Sequence, residues 1–235
     1  MNRHRKKMYA LTPIAPNKKL VSYLAKPIIK AIGFKVNHYT IGGKTVGGLI
    51  PTLTDRYYPR YEAKKRQYKR KGVTRRRKAS TRKQGIAIDA QLQAYVTSQK
   101  KRPRNVLAKA IVAYLEDECE QSIQAAQVPV VVNMGDGDIK VTQADLITQD
   151  KEGRLYMVEV KSGYNQSRSQ GTLSGVPGEV PNNRKTHWEL QRHFTHKGLV
   201  EGGLPLQASY IVNVYQEGDG VTVKKRKNPK WVELL

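Results

Sequence analysis

From residue 86 onward the apolar positions recur with a readable period. Ile88, Leu92, Tyr95 and Val96 fall three or four apart, which predicts a helix over 86–99, closed by Pro103. Leu107, Ile111, Tyr114, Leu115, Ile123 and Ala126 keep the same spacing and predict a second helix over 105–127. Glu116, Asp117, Glu118 and Glu120 gather towards its second half. Then the period changes. The valine run at 128–134 predicts a buried strand, bounded by Pro129 and Gly135, and Asp136-Gly137-Asp138 reads as a turn. Residues 139–148 and 154–161 predict two more strands joined by a turn over 148–153. Residues 185–196 are helical in pattern, and 207–216 and 221–227 predict a final strand pair around a turn at 217–220. The order is helix, helix, three strands, helix, two strands, which is an α/β plan.

Two stretches break the pattern. Residues 162–184 are rich in Gly, Ser, Pro and Asn and carry no apolar period, so they read as one long loop. Loops of that length inside a domain are usually functional or disordered. This one carries Tyr164, Asn165, Gln166, Ser167, Arg168, Ser169 and Gln170, all able to bond phosphate or bases, and is expected to cover a substrate groove. Upstream, 21–25 and 28–29 suggest a short helix broken at Pro27, and Gly42, Gly43, Gly47 and Gly48 suggest a hairpin. Residues 1–55 are expected to form a small appendage.

Charge changes this picture. The 235 residues hold 43 Lys and Arg against 19 Asp and Glu, a net charge of +24. Residues 1–84 carry 24 of those cations and only two acids, Asp55 and Glu62, whereas residues 85–235 are nearly neutral. Within 56–83, 14 of 28 residues are Lys or Arg. Such a block repels itself and is expected to stay extended, or to fold only on a partner. Tyr57, Tyr58, Tyr61 and Tyr68 are interleaved with its cations. Rings that stack on bases and cations that displace counterions from phosphates make this a nucleic-acid-binding arm. Lys64, Lys65, Arg66, Lys69, Arg70, Lys71, Arg75, Arg76, Arg77 and Lys78 are its candidate contacts. The division expected is therefore 1–55 appendage, 56–84 arm and 85–235 globular domain.

Other classes recede. The longest apolar run is far shorter than the ~20 residues of a membrane span. The basic N-terminus has no apolar segment behind it, so an intracellular protein of cytoplasm or nucleus is expected rather than a secreted one. One cysteine, Cys119, excludes an internal disulfide framework and is expected to be a buried small apolar residue. His187, His193 and His196 share one predicted helix, and partial burial or phosphate contact suits them better than zinc.

The candidate chemistry lies on the second and third strands. Glu159 and Lys161 are two apart and so share one face, while Val160 faces the other way. A turn centred on Glu152 places position 145 opposite 159, where directly opposed Cβ atoms lie about 4.5–5.5 Å apart. Asp145 and Glu159 would then meet, with Lys161 one step along. Two adjoining carboxylates invite a hard divalent cation such as Mg²⁺, and the lysine can orient water or stabilise a phosphoryl oxygen.

These residues resemble the PD-(D/E)XK nuclease superfamily. Ala144-Asp145 stands at the Pro-Asp element and Glu159-Val160-Lys161 at the E-x-K element, over roughly residues 85–227. Gln191 lies on the following helix, as in RecB-type and lambda-exonuclease-type members, although Thr195 stands where their Q-x-x-x-Y element has tyrosine. The resemblance implies a restriction-endonuclease-like αβββαβ core: a mixed central sheet flanked by helices, here with a basic N-terminal extension. It implies Mg²⁺, with Mn²⁺ as a substitute, held by Asp145, Glu159 and the Val160 carbonyl. Lys161 would position the attacking water and help it lose a proton, and Gln191 would orient the water, Lys161 or a phosphate oxygen. Asp89 and Glu118 are both candidates for an extra acid from the helical region. The expectation is a metal-dependent DNA nuclease of recombination, repair or genome processing, with RNA as an open substrate and oligomeric state undetermined. The rival is a non-catalytic nucleic-acid-binding protein of packaging or ribosome association.

Overall fold

The computed structural model describes residues 17–35, 38–58, 75–98, 102–162, 171–176, 178–217 and 219–231. Helices α1 (Lys18–Ala25) and α2 (Pro27–Lys30) lead into strands β1 (Ile32–Lys35), β2 (His38–Ile41) and β3 (Lys44–Gly48), then helix α3 (Leu49–Tyr57). Helices α4 (Arg75–Thr97) and α5 (Val106–Ala113) follow, the latter running into a π-helical turn at Tyr114–Glu118. Next come strands β4 (Ser122–Asn133), β5 (Ile139–Gln149) and β6 (Leu155–Ser162), helix α6 (Arg184–Glu201), and strands β7 (Leu206–Glu217) and β8 (Gly220–Arg226). No described helix is long and apolar enough to cross a membrane.

The protein is an α/β fold with one mixed eight-stranded sheet between two helical layers. β4, β5 and β6 form an antiparallel meander, β7 joins β6 in parallel, and β8 closes that edge antiparallel to β7. Alternation along the strands feeds two cores. Leu146, Val158, Val160, Val212 and Val214 pack with Ile88, Leu92, Tyr95, Leu107 and Ile111 of α4 and α5. On the other face Val128, Val130, Ile147 and Met157 pack with Leu190, Phe194 and Leu199 of α6. Polar side chains fix where helices begin. Asn105 accepts from Leu107 N and Ala108 N to start α5, and Asn183 with Thr186 forms a reciprocal capping box at the start of α6. Gly198 lets α6 lie close on β4, because a Cβ there would stand 2.6 Å from the Val131 carbonyl oxygen.

Three expectations are corrected. The described part of the N-terminal segment, from residue 17, is not an appendage: β3 pairs in parallel with β5 through Gly47↔Lys140 and Gly48↔Val141, inside the same sheet. Leu20, Tyr23, Leu49, Leu53 and Tyr57 are buried in the core that α6 covers. Each such side chain contributes about 1.5–3 kcal/mol of transfer free energy, so this segment is part of what stabilises the fold. Its apolar residues are spread over three short helices and three short strands, too briefly for any one period to register.

The second helix ends at Glu118 rather than 127, and Ser122 already starts β4. Glu116, Asp117 and Glu118 crowd its C-terminal end, where the helix dipole disfavours anions. Ile123 and Ala125 pair instead with Thr148 and Ile147 of β5. β4 then runs through Pro129, which an edge strand tolerates.

The basic tract is not extended throughout. From Arg75 it is the beginning of α4, because arginine, lysine, alanine and glutamine propagate a helix readily. Arg75, Arg76, Arg77 and Lys78 occupy its first turns. Lys64, Lys65, Arg66, Lys69, Arg70 and Lys71 lie outside the described residues.

The segment after β6 is also more ordered than its composition suggests. Leu173, Val176 and Val180 are buried, Thr172 bridges Pro181, and Ser174 N donates to the Tyr57 carbonyl. This described part packs on α3. The polar run 163–170, on which the groove-covering expectation rested, lies outside the described residues.

Candidate active site

The β5–β6 register is the expected one. Leu146↔Val158, Ile147↔Met157, Thr148↔Tyr156 and Gln149↔Leu155 pair across a turn in which Gly153 adopts φ +81. Extending this ladder by one step sets Asp145 against Glu159, but the ladder stops there. β4 occupies one edge of β5 over its whole length, so β3 and β6 share the other edge. β6 holds residues 146–149 and β3 holds 140–141, which leaves a fork between them at Asp145. The Val160 N–H, past the last ladder pair, is taken by the Asp145 carboxylate, with Oδ2 at 2.7 Å.

Around the fork the side chains converge. Lys161 Nζ donates to Glu159 Oε1 at 2.7 Å and to Gln191 Oε1 at 3.1 Å. Gln191 Nε2 donates to the same Glu159 oxygen at 2.6 Å. Gln191 sits on α6, whose apolar face fixes its rotation against the sheet. The Asp145 and Glu159 carboxyls lie within hydrogen-bonding reach of each other, and the Gln127 side chain favours the charged form of Asp145. Asp145, Glu159, Lys161 and Gln191, together with Ile50, Gly85, Ile88, Asp89, Val160 and Ser162, line a cleft of about 170 Å³.

Asp145, Glu159, Lys161 and Gln191 are therefore brought together. Of the two further acids, Asp89 lines the same cleft, whereas Glu118 is exposed on the π-helical turn and lines no part of it. Gln127, which sequence reasoning did not single out, stands in β4 opposite Asp145 in a positive-φ conformation (φ 53). That backbone is sparsely populated for a non-glycine residue, and nothing in the sequence announces it.

The electrostatics follow from burial. Glu159 has no exposed surface, and its Oε2 has no donor among the described residues. Burial, and then the Asp145 charge, push the Glu159 carboxyl upward; burial pushes Asp145 upward too. Asp89 is pushed up to about 6 by burial and by Asp145. Burial alone would lower Lys161, but the carboxylates of Glu159, Asp145 and Asp89 outweigh it and hold the ammonium charged. A cluster with three acids and one base is short of positive charge. Two carboxylates this close, with a single ammonium among three acids, call for a shared proton or a further cation.

That is the observation against which Mg²⁺ is tested. The orphaned Glu159 Oε2 and the hard oxygen donors fit such an ion. Among the described residues no group of three His, Cys, Asp or Glu side chains forms a metal cage. The Asp145–Glu159 pair is thus an incomplete donor set, as suits an ion that keeps several waters or substrate oxygens. The recorded Val160 contact uses its N–H and not its carbonyl.

The histidines stay outside the cleft. His187 stacks on Tyr58 with ring centroids 3.6 Å apart, and burial lowers His193 to about 4. Trp188 and Phe194 are core residues, as expected, and Cys119 is half-buried.

A raised carboxyl pKa carries a sign. A group whose folded pKa lies above its unfolded value of about 3.9 adds stability below that value and loses it as pH rises through the folded pKa. Without metal, Asp89→Asn is therefore expected to raise the melting temperature at pH 8. The gain should shrink through pH 6 and vanish near pH 4. A gain independent of pH, read by calorimetry on both proteins, would contradict the burial of this carboxylate beside Asp145.

No protein-family model and no curated protein matches the chain. Among solved structures, one described as "Crystal structure of SSO0001" is similar at 15% identity over 64% of this chain and 71% of that chain, with a TM-score of 0.28. Similarity at that level carries no argument about fold or function.

Proposed function

We propose that the protein is a metal-dependent nuclease that hydrolyses phosphodiester bonds in DNA. The observation that carries this reading is the pair of mutually reachable carboxylates, Asp145 and Glu159, with the Lys161 ammonium on the same carboxylate. A structural salt bridge needs one acid per base. Burying a second acid with an unpaired oxygen costs stability and is retained where it serves chemistry. The β4–β5–β6 meander, followed by α6 and parallel β7 and preceded by α4, supports a restriction-endonuclease-like core and the PD-(D/E)XK resemblance.

Asp145 and Glu159 are the residues that would hold Mg²⁺, or Mn²⁺ in its place. Bound there, the ion would neutralise charge developing on the phosphoryl group. Lys161, charged in this environment, donates to the attacking water or to a phosphoryl oxygen and does not itself accept a proton. Gln191 holds the ammonium in place, and Thr195 Oγ1 anchors that turn of α6 by donating to the Gln191 carbonyl at 2.7 Å.

The lining of the cleft is acidic, so affinity for a polyanion has to come from elsewhere. The cations of 56–83 supply it, with little sequence selectivity. Neutralising Lys64, Lys65, Arg66, Lys69, Arg70 and Lys71 is expected to flatten the log–log salt dependence of binding by roughly 4. An unchanged slope would remove the tract from the interface. The deciding experiment is cleavage of circular, linear and single-stranded DNA and of RNA, with and without Mg²⁺ or Mn²⁺. No cutting of any form would favour the non-catalytic nucleic-acid-binding alternative.

A further inference from the structure

We propose, resting on the hydrolytic reading above, that the cleft takes an unpaired DNA strand, gripped at its rim by Ile50 and Ile86. Depth is the first argument. Glu159 has no exposed surface and the Lys161 side chain is only 15% exposed, so a reacting phosphate has to descend to the floor. The cleft, at about 170 Å³, is smaller than the roughly 300 Å³ at which pockets begin to enclose drug-sized molecules. It has room for a phosphate with its nearest sugar atoms, so a base pair would have to stay outside it. Duplex DNA is stiff over about 150 base pairs and carries its second strand wherever the first one goes. A lone strand can fold one phosphate inward.

The rim supplies the second argument. Isolated exposed isoleucines are ordinary on protein surfaces. These two are not scattered. Ile50, 49% exposed, lines the cleft from the first turn of α3. Ile86, 58% exposed, stands on α4 between the lining residues Gly85 and Ile88 and one turn before Asp89. Ile50 belongs to the lining itself, and Ile86 lies on the neighbouring helix directly beside lining residues. Phosphates gain nothing from an apolar rim, and the acids inside repel them. Apolar side chains engage DNA by lying against base faces, which are reachable only where stacking is broken. The combination of apolar side chains on and beside the cleft, an acidic floor and a basic tract earlier in the chain suits a strand held through its backbone and through exposed bases at the cleft.

The test uses the full chain. Cleavage in Mg²⁺ is compared on a single strand, a blunt duplex and a duplex with an unpaired tail. In parallel, the Lys161→Ala protein is titrated with a single strand carrying a fluorescent purine analogue that is quenched by stacking. Strand and tail are expected to be cut at least about tenfold faster than the blunt duplex, a difference of about 1.4 kcal/mol. Analogue emission should rise on binding and fall back with Ile50→Ala or Ile86→Ala in that background. Both side chains are half-exposed, so an unchanged melting temperature verifies folding. Equal cutting of the blunt duplex, or an emission change indifferent to both substitutions, overturns the proposal. If nothing is cut while the isoleucine-dependent emission persists, hydrolysis is refuted and strand binding at the cleft stands.

Discussion

Lys161→Ala is expected to lower Mg²⁺-dependent cleavage by about 10²–10⁴-fold, the range for losing one positioned donor or proton-transfer group. DNA binding should stay nearly intact, because the side chain is only 15% exposed and one charge is small beside the basic tract. The same substitution carries a second signature. It removes the cation that donates to Glu159 and offsets the charges of Asp145 and Asp89. Taking away one partner of a buried ion pair costs about 3–5 kcal/mol, because the charge left behind is uncompensated. The metal-free variant should therefore melt well below the wild type at pH 8, and added Mg²⁺ should recover part of the loss. Persistence of cutting within tenfold of wild type, alongside an unshifted melting temperature, would remove Lys161 from the chemistry and from the charge balance together.

Glu159→Gln tests the opposite imbalance. The amide keeps the shape and removes one of the three acids that face the Lys161 ammonium. Because burial and Asp145 push the Glu159 carboxyl upward, the wild type bears a penalty that grows as pH rises through the neutral range. The variant is expected to be more stable without metal at pH 8, by roughly 1 kcal/mol or about 2–4 °C. It should also lose cleavage. Mg²⁺ should raise the melting temperature of the wild type, since a ligand that binds only the folded state stabilises it. It should leave that of the variant almost unmoved. A variant that melts lower than wild type at pH 8 and still responds to Mg²⁺ would mean that Glu159 serves the fold and holds no ion.

The site was legible in the sequence because a hairpin is governed by two local rules, alternation and turn position. Those rules set Asp145 across from Glu159 before any coordinates. They do not reveal that the ladder ends one step earlier, since what parts β5 from β6 is the β3 strand, nearly a hundred residues upstream. For the same reason the N-terminal segment was misjudged. Tyr23 and Leu53 are core residues only in relation to Pro129 and α6, and no local period encodes such partners. The 105–127 stretch failed differently. Ile123 and Ala126 suit a helix or a strand, and pairing with β5 decided between them. The choice between Asp89 and Glu118 required the crossing of α4 over the sheet, which spacing alone does not determine.

The insertion of β3 beside β5 also bears on how the chain can be shortened. Trimming it back to the start of α4 would strip the backbone partners of Lys140 and Val141 and bare the underside of α6 where Leu49, Leu53 and Tyr57 now lie. Such a fragment would carry every acid of the cleft yet present a raw strand margin to its neighbours, the kind of edge on which chains aggregate. A fragment that begins at α4 would lack part of both sheet and core, because residues 17–57 share them with the strands that follow.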